Sequence, residues 1–167
     1  MRSLGIDLAS AGLSAVALAV EGVPVKAAVW KPANNKDSDA TKLVGFELWL
    51  RARLLVWQPD IIVVEETMAI GKSPRTPLQI AKREGVALLV AKKRKDAIVI
   101  SAKISSSRSI VLSTPDRKAG NMSKEDAFAT FKRLYPDFKL LPKTAGGMDM
   151  ADAAVHALAA PVLLERR

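Results

Sequence analysis

Residues 1–30 read MRSLGIDLASAGLSAVALAVEGVPVKAAVW, and this opening decides the fold. Leu4–Leu8 is short and apolar, Leu13–Val20 follows a turn at Ala11-Gly12, and Pro24–Trp30 follows a second turn at Glu21-Gly22. Short apolar runs punctuated by glycine turns read as β-strands. Three of them at this spacing predict an antiparallel meander, because the connections are too short for a crossover. Within the first strand stands a carboxylate, Asp7, where an apolar residue would be expected.

Outward from this meander, Lys31–Asp39 is polar and turn-like, with Asp37, Ser38 and Asp39 as candidate helix caps. Leu43, Phe46, Leu50, Leu54 and Trp57 then recur at helical spacing, and Pro59 stops that helix. Ile61–Glu65 is β-branched and apolar, a buried strand parallel to the first because a helix connects them. Gly71–Pro77 reads as a loop, and a second helix runs from Leu78 through the basic run Lys92–Lys95. Ile98-Val99-Ile100 fits strand or helix, and a clearer strand is predicted at Ile110–Ser113, ended by Pro115. Ser123, with Asp126 three residues on, resembles a capping box at the head of a helix over Lys124–Leu134. A final helix covers Met148–Leu164, with a kink at Pro161. This order predicts one α/β domain over residues 1–167, a mixed five-stranded sheet (the three-strand meander plus parallel strands) flanked by helices.

Composition narrows the partners. There are 26 Lys plus Arg against 17 Asp plus Glu, a net charge of +9, which favours a polyanion and nucleic acid above all. Cysteine is absent, which excludes disulfides and Cys-based zinc sites, and a single histidine, His156, argues against a His-rich metal site. Any metal would be held by carboxylate oxygens, pointing to Mg²⁺ or Mn²⁺. No continuous apolar run reaches the roughly 18–20 residues that span a bilayer. Ala11–Val20 is shaped like the apolar part of a signal peptide, but Asp7 precedes it and only Arg2 and the amino terminus are positive. A buried strand explains it better, so an intracellular, cytoplasmic protein with no membrane contact is expected.

Acidic residues sit where apolar elements end. Asp7 is in the first strand, Glu65 and Glu66 close the fourth, and Asp149 and Asp152 open the last helix. Burying an ionised carboxylate is costly unless a cation or hydrogen bonds compensate. Parallel neighbouring strands bring Asp7 and Glu65 to one edge of the sheet, and residues three apart on a helix face one partner. Several carboxylates around two cations about 3.5–4 Å apart can activate water and stabilise a leaving oxygen, which is phosphodiester hydrolysis. Each acid also has a structural reading: Asp149 and Asp152 suit a helix N-terminus, and Asp7 suits a turn. Adjacent strand residues face opposite ways, so at least one of Glu65 and Glu66 lies outside any shared site.

Together these residues resemble a known family. Gly5-Ile6-Asp7-Leu8-Ala9-Ser10 is similar to the opening G-I-D-P-G motif of RuvC-type Holliday-junction resolvases. Val64-Glu65 resembles their V-E motif and selects Glu65, and Asp149-Met150-Ala151-Asp152-Ala153 matches D-x-x-D-A on their last helix. Arg83-Glu84-Gly85-Val86-Ala87 resembles their central-helix R-G-V-A, while Ser113-Thr114-Pro115, Gly120-Asn121 and Ser123-Lys124-Glu125 resemble S-P, G-N-G and S-K-E. The resemblance covers nearly the whole chain in the right order. It implies an RNase H-like fold, a homodimer, and paired symmetric nicks in four-way DNA junctions. Asp7, Glu65, Asp149 and Asp152 would be catalytic metal ligands for Mg²⁺ or Mn²⁺, two ions per site, and Lys124, with Lys118 or Arg117, would approach the scissile phosphate. A cation there would stabilise charge in the transition state.

Departures from the pattern are informative. The Pro-Gly after the first Asp is Leu8-Ala9, and an aromatic residue common three positions after the catalytic Glu is Met68, which can still wedge against bases. Residues 92–109 read as a basic insertion whose Lys92, Lys93, Arg94, Lys95, Lys103 and Arg108 would add a phosphate-contact surface. Lys72 and Arg75, in the loop after Glu65, are further candidates for gripping phosphates. Trp30, Trp49 and Trp57 read as core, and His156, a turn beyond Asp152, as a half-buried helix residue. The rival readings are an RNase H-like nuclease for RNA–DNA hybrids or other branched DNA, and a non-catalytic junction-binding protein. The Leu78–Lys92 helix is the candidate dimer interface, since two symmetric nicks need two sites related by a two-fold axis.

Overall fold

The computed structural model describes residues 1–8, 13–66, 75–113 and 119–166, with the side chains of 75–77 left aside. Strand β1 (Arg2–Asp7) is the centre of a five-stranded sheet. β2 (Ser14–Val20) and β3 (Val23–Trp30) extend to one side, β4 (Ile61–Glu65) and β5 (Ile98–Ala102) to the other, in the order β3-β2-β1-β4-β5. The first three strands pair antiparallel, as the meander requires, while β1–β4 and β4–β5 pair parallel. Glu21 and Gly22 both take positive φ, 51° and 77°, between β2 and β3. A two-residue hairpin with that handedness matches the twist of its strands.

Residue alternation along the strands sorts the helices onto two faces. Leu4, Ile6 and Leu8, with Val16, Leu18, Ile62 and Val64, bury against α1 (Asp39–Trp57) and α2 (Arg75–Lys92). Ser38 caps α1, its hydroxyl accepting from the Thr41 N–H at 3.2 Å, and Gln58, in the left-handed region, closes it before Pro59. Of the tryptophans, Trp30 and Trp57 belong to this core and Trp49 packs against it. The other face carries α3 (Ile104–Val111), α4 (Lys124–Leu134) and α5 (Gly147–Glu165). Ser123 caps α4, accepting from the Asp126 N–H at 3.1 Å.

That second face is lined with small residues, Gly5, Ala15 and Ala17, so α5 can lie almost on the sheet backbone. A Cβ on Gly5 would stand 2.0 Å from the Ala153 carbonyl oxygen and 2.6 Å from the Ala157 nitrogen. Both are backbone atoms of α5 and cannot swing aside. Gly5→Ala is therefore expected to destabilise the protein by about 3 kcal/mol or more, the upper end of overpacking costs, read as a lowered urea midpoint. A midpoint equal to wild type would mean that α5 shifts freely. By length and composition α5 could cross a membrane, yet 67% of that window is buried inside the fold.

Two expectations require correction. The fifth strand is Ile98–Ala102, and Ile110–Ser113 is not a strand: Ile110 and Val111 end α3. On α3 the residues at i, i+3, i+4 and i+7 are Ile104, Ser107, Arg108 and Val111, and its buried members are Ser107 and Arg108. Ile104 and Val111 pack against the core only in part, and the buried positions between them are polar, which masks the hydrophobic period. Residues 92–109 thus contribute β5 and most of α3, and two of their six basic side chains are engaged within the fold. Arg94 binds Asp96 and the Leu54 carbonyl, and Arg108 is buried. Lys92, Lys93, Lys95 and Lys103 remain exposed.

Candidate active site

Parallel pairing sets Ile6 of β1 opposite Val64 of β4. The next residues, Asp7 and Glu65, end their strands side by side at the carboxyl edge of the sheet, where open α/β sheets place their ligands. Both fall on the face that α5 covers, because Gly5 and Val63, two residues back, do so. The Leu8 N–H donates to Glu65 Oε2 at 2.8 Å and fixes that carboxylate against the end of β1. Glu66 is exposed and its N–H continues the pairing to Ala102. From above, the first turns of α5 add Asp149 and Asp152, both buried. Its preceding Gly146, at φ 94°, turns the chain into the helix.

Two cations enter this acidic cluster from separate helices. Lys124, the first residue of α4, donates to Asp149 Oδ1 at 2.5 Å, and its Nζ stands 3.6 Å from Asp152 Oδ2 and 3.9 Å from Asp7 Oδ2. Arg108 of α3 grips Asp152 through Nε to Oδ1 at 3.1 Å and through Nη2 to Oδ1 and Oδ2, both at 2.9 Å. Its Nη1 donates to the Met122 carbonyl at 2.9 Å, so the guanidinium is held at both ends. A forked pair of this kind fixes orientation as well as charge.

The electrostatics follow from burial. Burial and the neighbouring Glu65 push the Asp7 carboxyl well above its ordinary range, against the pull of Lys124. Glu65 is raised by burial despite the Leu8 N–H, and Asp152 by burial despite Arg108. Burial alone would lower the Lys124 ammonium, but Asp7, Asp152 and Asp149 outweigh it and raise it. The donor set fits a divalent cation: hard carboxylate oxygens converge, and among the described residues Asp7 Oδ2 is buried without a hydrogen-bond partner. Among the described residues no three acidic or histidine side chains form a ready metal cage as they stand. The Lys124 ammonium lies among three of the carboxylates.

His156 is fully buried, contrary to the half-buried position expected, and its Nδ1 is 2.9 Å from the Ser107 hydroxyl. Neighbouring residues of α3, Ser107 and Arg108, thereby hold two residues one turn apart on α5. Burial, then the Arg108 charge, lowers the His156 pKa to about 3. In the unfolded chain an ordinary histidine titrates near 6.5, so the unfolded state takes up the proton first as pH falls. This group thus costs stability progressively from about pH 6.5 down towards 3. His156→Gln removes that term, so the Tm gap between wild type and variant should narrow on acidification from pH 7 to 4.5. A constant gap would mean that His156 does not titrate differently on folding.

Of the residues singled out in the sequence, Asp7, Glu65, Asp149, Asp152 and Lys124 are brought together. Met68, Lys72, Arg117 and Lys118 lie outside the described residues, as does the side chain of Arg75. Arg83, in the R-x-G-V-A-like segment, binds the Leu13 carbonyl at 3.0 Å rather than entering the site. The basic run suggests an outer phosphate-contact surface for Arg108, whereas the structure places it in the acidic cluster, on Asp152. A lone basic residue in a serine-rich segment carried no signal of that role.

No family model matches the chain, and no curated protein matches it in sequence. Solved structures do. Thermus thermophilus RuvC is similar at a TM-score of 0.72 and 16% identity, over 99% of this chain and 96% of that one. T. thermophilus RuvC in complex with Holliday junction substrate gives 0.73 and 14%, over 99% and 95%. The yeast mitochondrial Holliday junction resolvase Ydc2 gives 0.56 and 16%, over 93% and 75%. The chain has the fold of the RuvC-type resolvases.

Proposed function

With that fold as premise, we propose that the protein is a metal-dependent endodeoxyribonuclease that resolves four-way (Holliday) DNA junctions as a homodimer, in a single RNase H-like domain inside the cell. The observation that carries this reading is the meeting of Asp7, Glu65, Asp149 and Asp152 with Lys124 at the carboxyl edges of β1 and β4. A structural or architectural protein gains nothing from burying like charges whose ionisation the fold opposes. The net charge of +9 suits a DNA partner, and one structural neighbour is bound to a Holliday junction.

Asp7, Glu65 and Asp149 would hold Mg²⁺ or Mn²⁺, with Asp152 beside them. When bound, the cation supplies Lewis-acid stabilisation of the phosphoryl charge and a lowered pKa for attacking water. The Leu8 N–H orients Glu65, and Arg108 orients Asp152. Lys124 stands on a flexible stem at the cluster and can turn its ammonium to a phosphate oxygen, where it stabilises the charge that builds in the transition state. The water oxygen bonds to phosphorus and gives up a proton, the bridging P–O bond of the strand breaks, and the leaving oxygen takes up a proton as a free hydroxyl. For the dimer, Leu78 and Leu89 of α2 and Leu48 and Leu55 of α1 are exposed apolar side chains.

The test is cleavage of a labelled four-way junction with Mg²⁺ or Mn²⁺, against duplex, RNA–DNA hybrid and flap competitors. Paired symmetric nicks in the junction are expected, from a dimer by light scattering. Preferential cutting of the hybrid or flap would move the substrate to another nuclease class. Junction binding without cleavage would leave a binding protein.

A further inference from the structure

We infer that Arg108 is a built-in cation that takes the place of a second metal ion, so that each protomer holds one divalent ion through Asp7, Glu65 and Asp149. The inference rests on the nuclease reading above and changes its ion count, since the sequence resemblance implied two.

Asp152 is committed. Both its oxygens accept from Arg108 across 2.9–3.1 Å, and the pair is almost closed to solvent, with side chains 9% and 4% exposed. Arg108 cannot withdraw without leaving its bond to the Met122 carbonyl and stranding a buried guanidinium. Lys124 is different: its side chain is 35% exposed, and among the described residues its ammonium makes one hydrogen bond, to Asp149, with Asp152 and Asp7 farther off at 3.6 and 3.9 Å. Of the two resident cations one is fixed and one can leave.

The charges agree with the geometry. Arg108 offsets Asp152, and the three remaining carboxylates face Lys124 in the metal-free protein and would face a divalent ion once that lysine turns away. Asp7 Oδ2, buried and without a hydrogen-bond partner among the described residues, has only the Lys124 ammonium, 3.9 Å away, as a nearby cation among them. Metal uptake therefore displaces the Lys124 ammonium from Asp149 and frees it for the phosphate, while Arg108 remains on Asp152.

The measurement is Mn²⁺ binding to the full-length, DNA-free protein by calorimetry, with electron paramagnetic resonance to count bound ions. Wild type should bind one ion per protomer. The double variant Asp152→Asn with Arg108→Met removes the pair together and leaves no orphaned charge. It should still bind one ion, with affinity within about a hundredfold of wild type, the range for groups that only support a ligand. Two ions on the wild type, or a greater loss in the double variant, would overturn the inference while keeping the metal site. Asp7→Asn should abolish binding; if it bound Mn²⁺ as tightly as wild type, the metal reading itself would fall and this inference with it. Circular dichroism of each variant separates lost binding from lost fold.

Discussion

Asp7→Asn should lower cleavage of a four-way junction by roughly 10³-fold or more, since a cation-assisted step gains several kcal/mol from its ligands. Junction affinity should stay near wild type, because the basic residues that would meet phosphates are untouched. Stability supplies the control. Burial and Glu65 raise the Asp7 pKa, so its ionised form weakens the metal-free fold at neutral pH. The folded protein there holds its proton more tightly than the unfolded chain. Stability from this group is thus lost as pH rises through the raised folded value. Asn removes that cost, and the metal-free variant should melt no lower than wild type. Active sites commonly trade stability for function in this way. Full cleavage by a correctly folded Asp7→Asn variant would remove the acidic cluster from the mechanism.

Arg108→Ala should destabilise the protein by about 3–5 kcal/mol, the usual cost of breaking a buried ion pair from one side. For a chain of this size that is a fall in Tm of roughly 10 °C or more by calorimetry. The cost lies in the abandoned partner: Asp152 would stay buried facing Asp149 with Lys124 3.6 Å away as its nearest remaining cation. Removing both charges, as in Asp152→Asn with Arg108→Met, should restore most of that loss, because no charge is stranded. An Arg108→Ala variant as stable as wild type would show that water or Lys124 readily takes over from the guanidinium.

Much of this molecule is legible along the chain because the relevant patterns are local. The meander follows from apolar runs and tight turns, α1 from its helical period, and α4 from the Ser123 cap. Asp7, Glu65, Asp149, Asp152 and Lys124 stand out because each breaks an apolar pattern or matches a motif at a fixed spacing. Ile98–Ala102 and Ile104–Val111 carry weaker local patterns. β5 is a short edge strand, and α3 turns Ser107 and Arg108 inward, so neither element advertises its period.

The sequence by itself determined strands β1–β4 and the mixed character of the sheet and singled out the carboxylates and the lysine, since hydrophobic period and residue type are properties of neighbouring positions. Only the tertiary structure decided that Arg108 and His156 are buried partners of α3 and α5, forty-four and forty-nine positions apart from Asp152 and Ser107 respectively. The physical reason is that burial, not residue type, makes those groups matter. An arginine in water is one more surface charge, whereas the same arginine closed against a carboxylate fixes how that acid can be used.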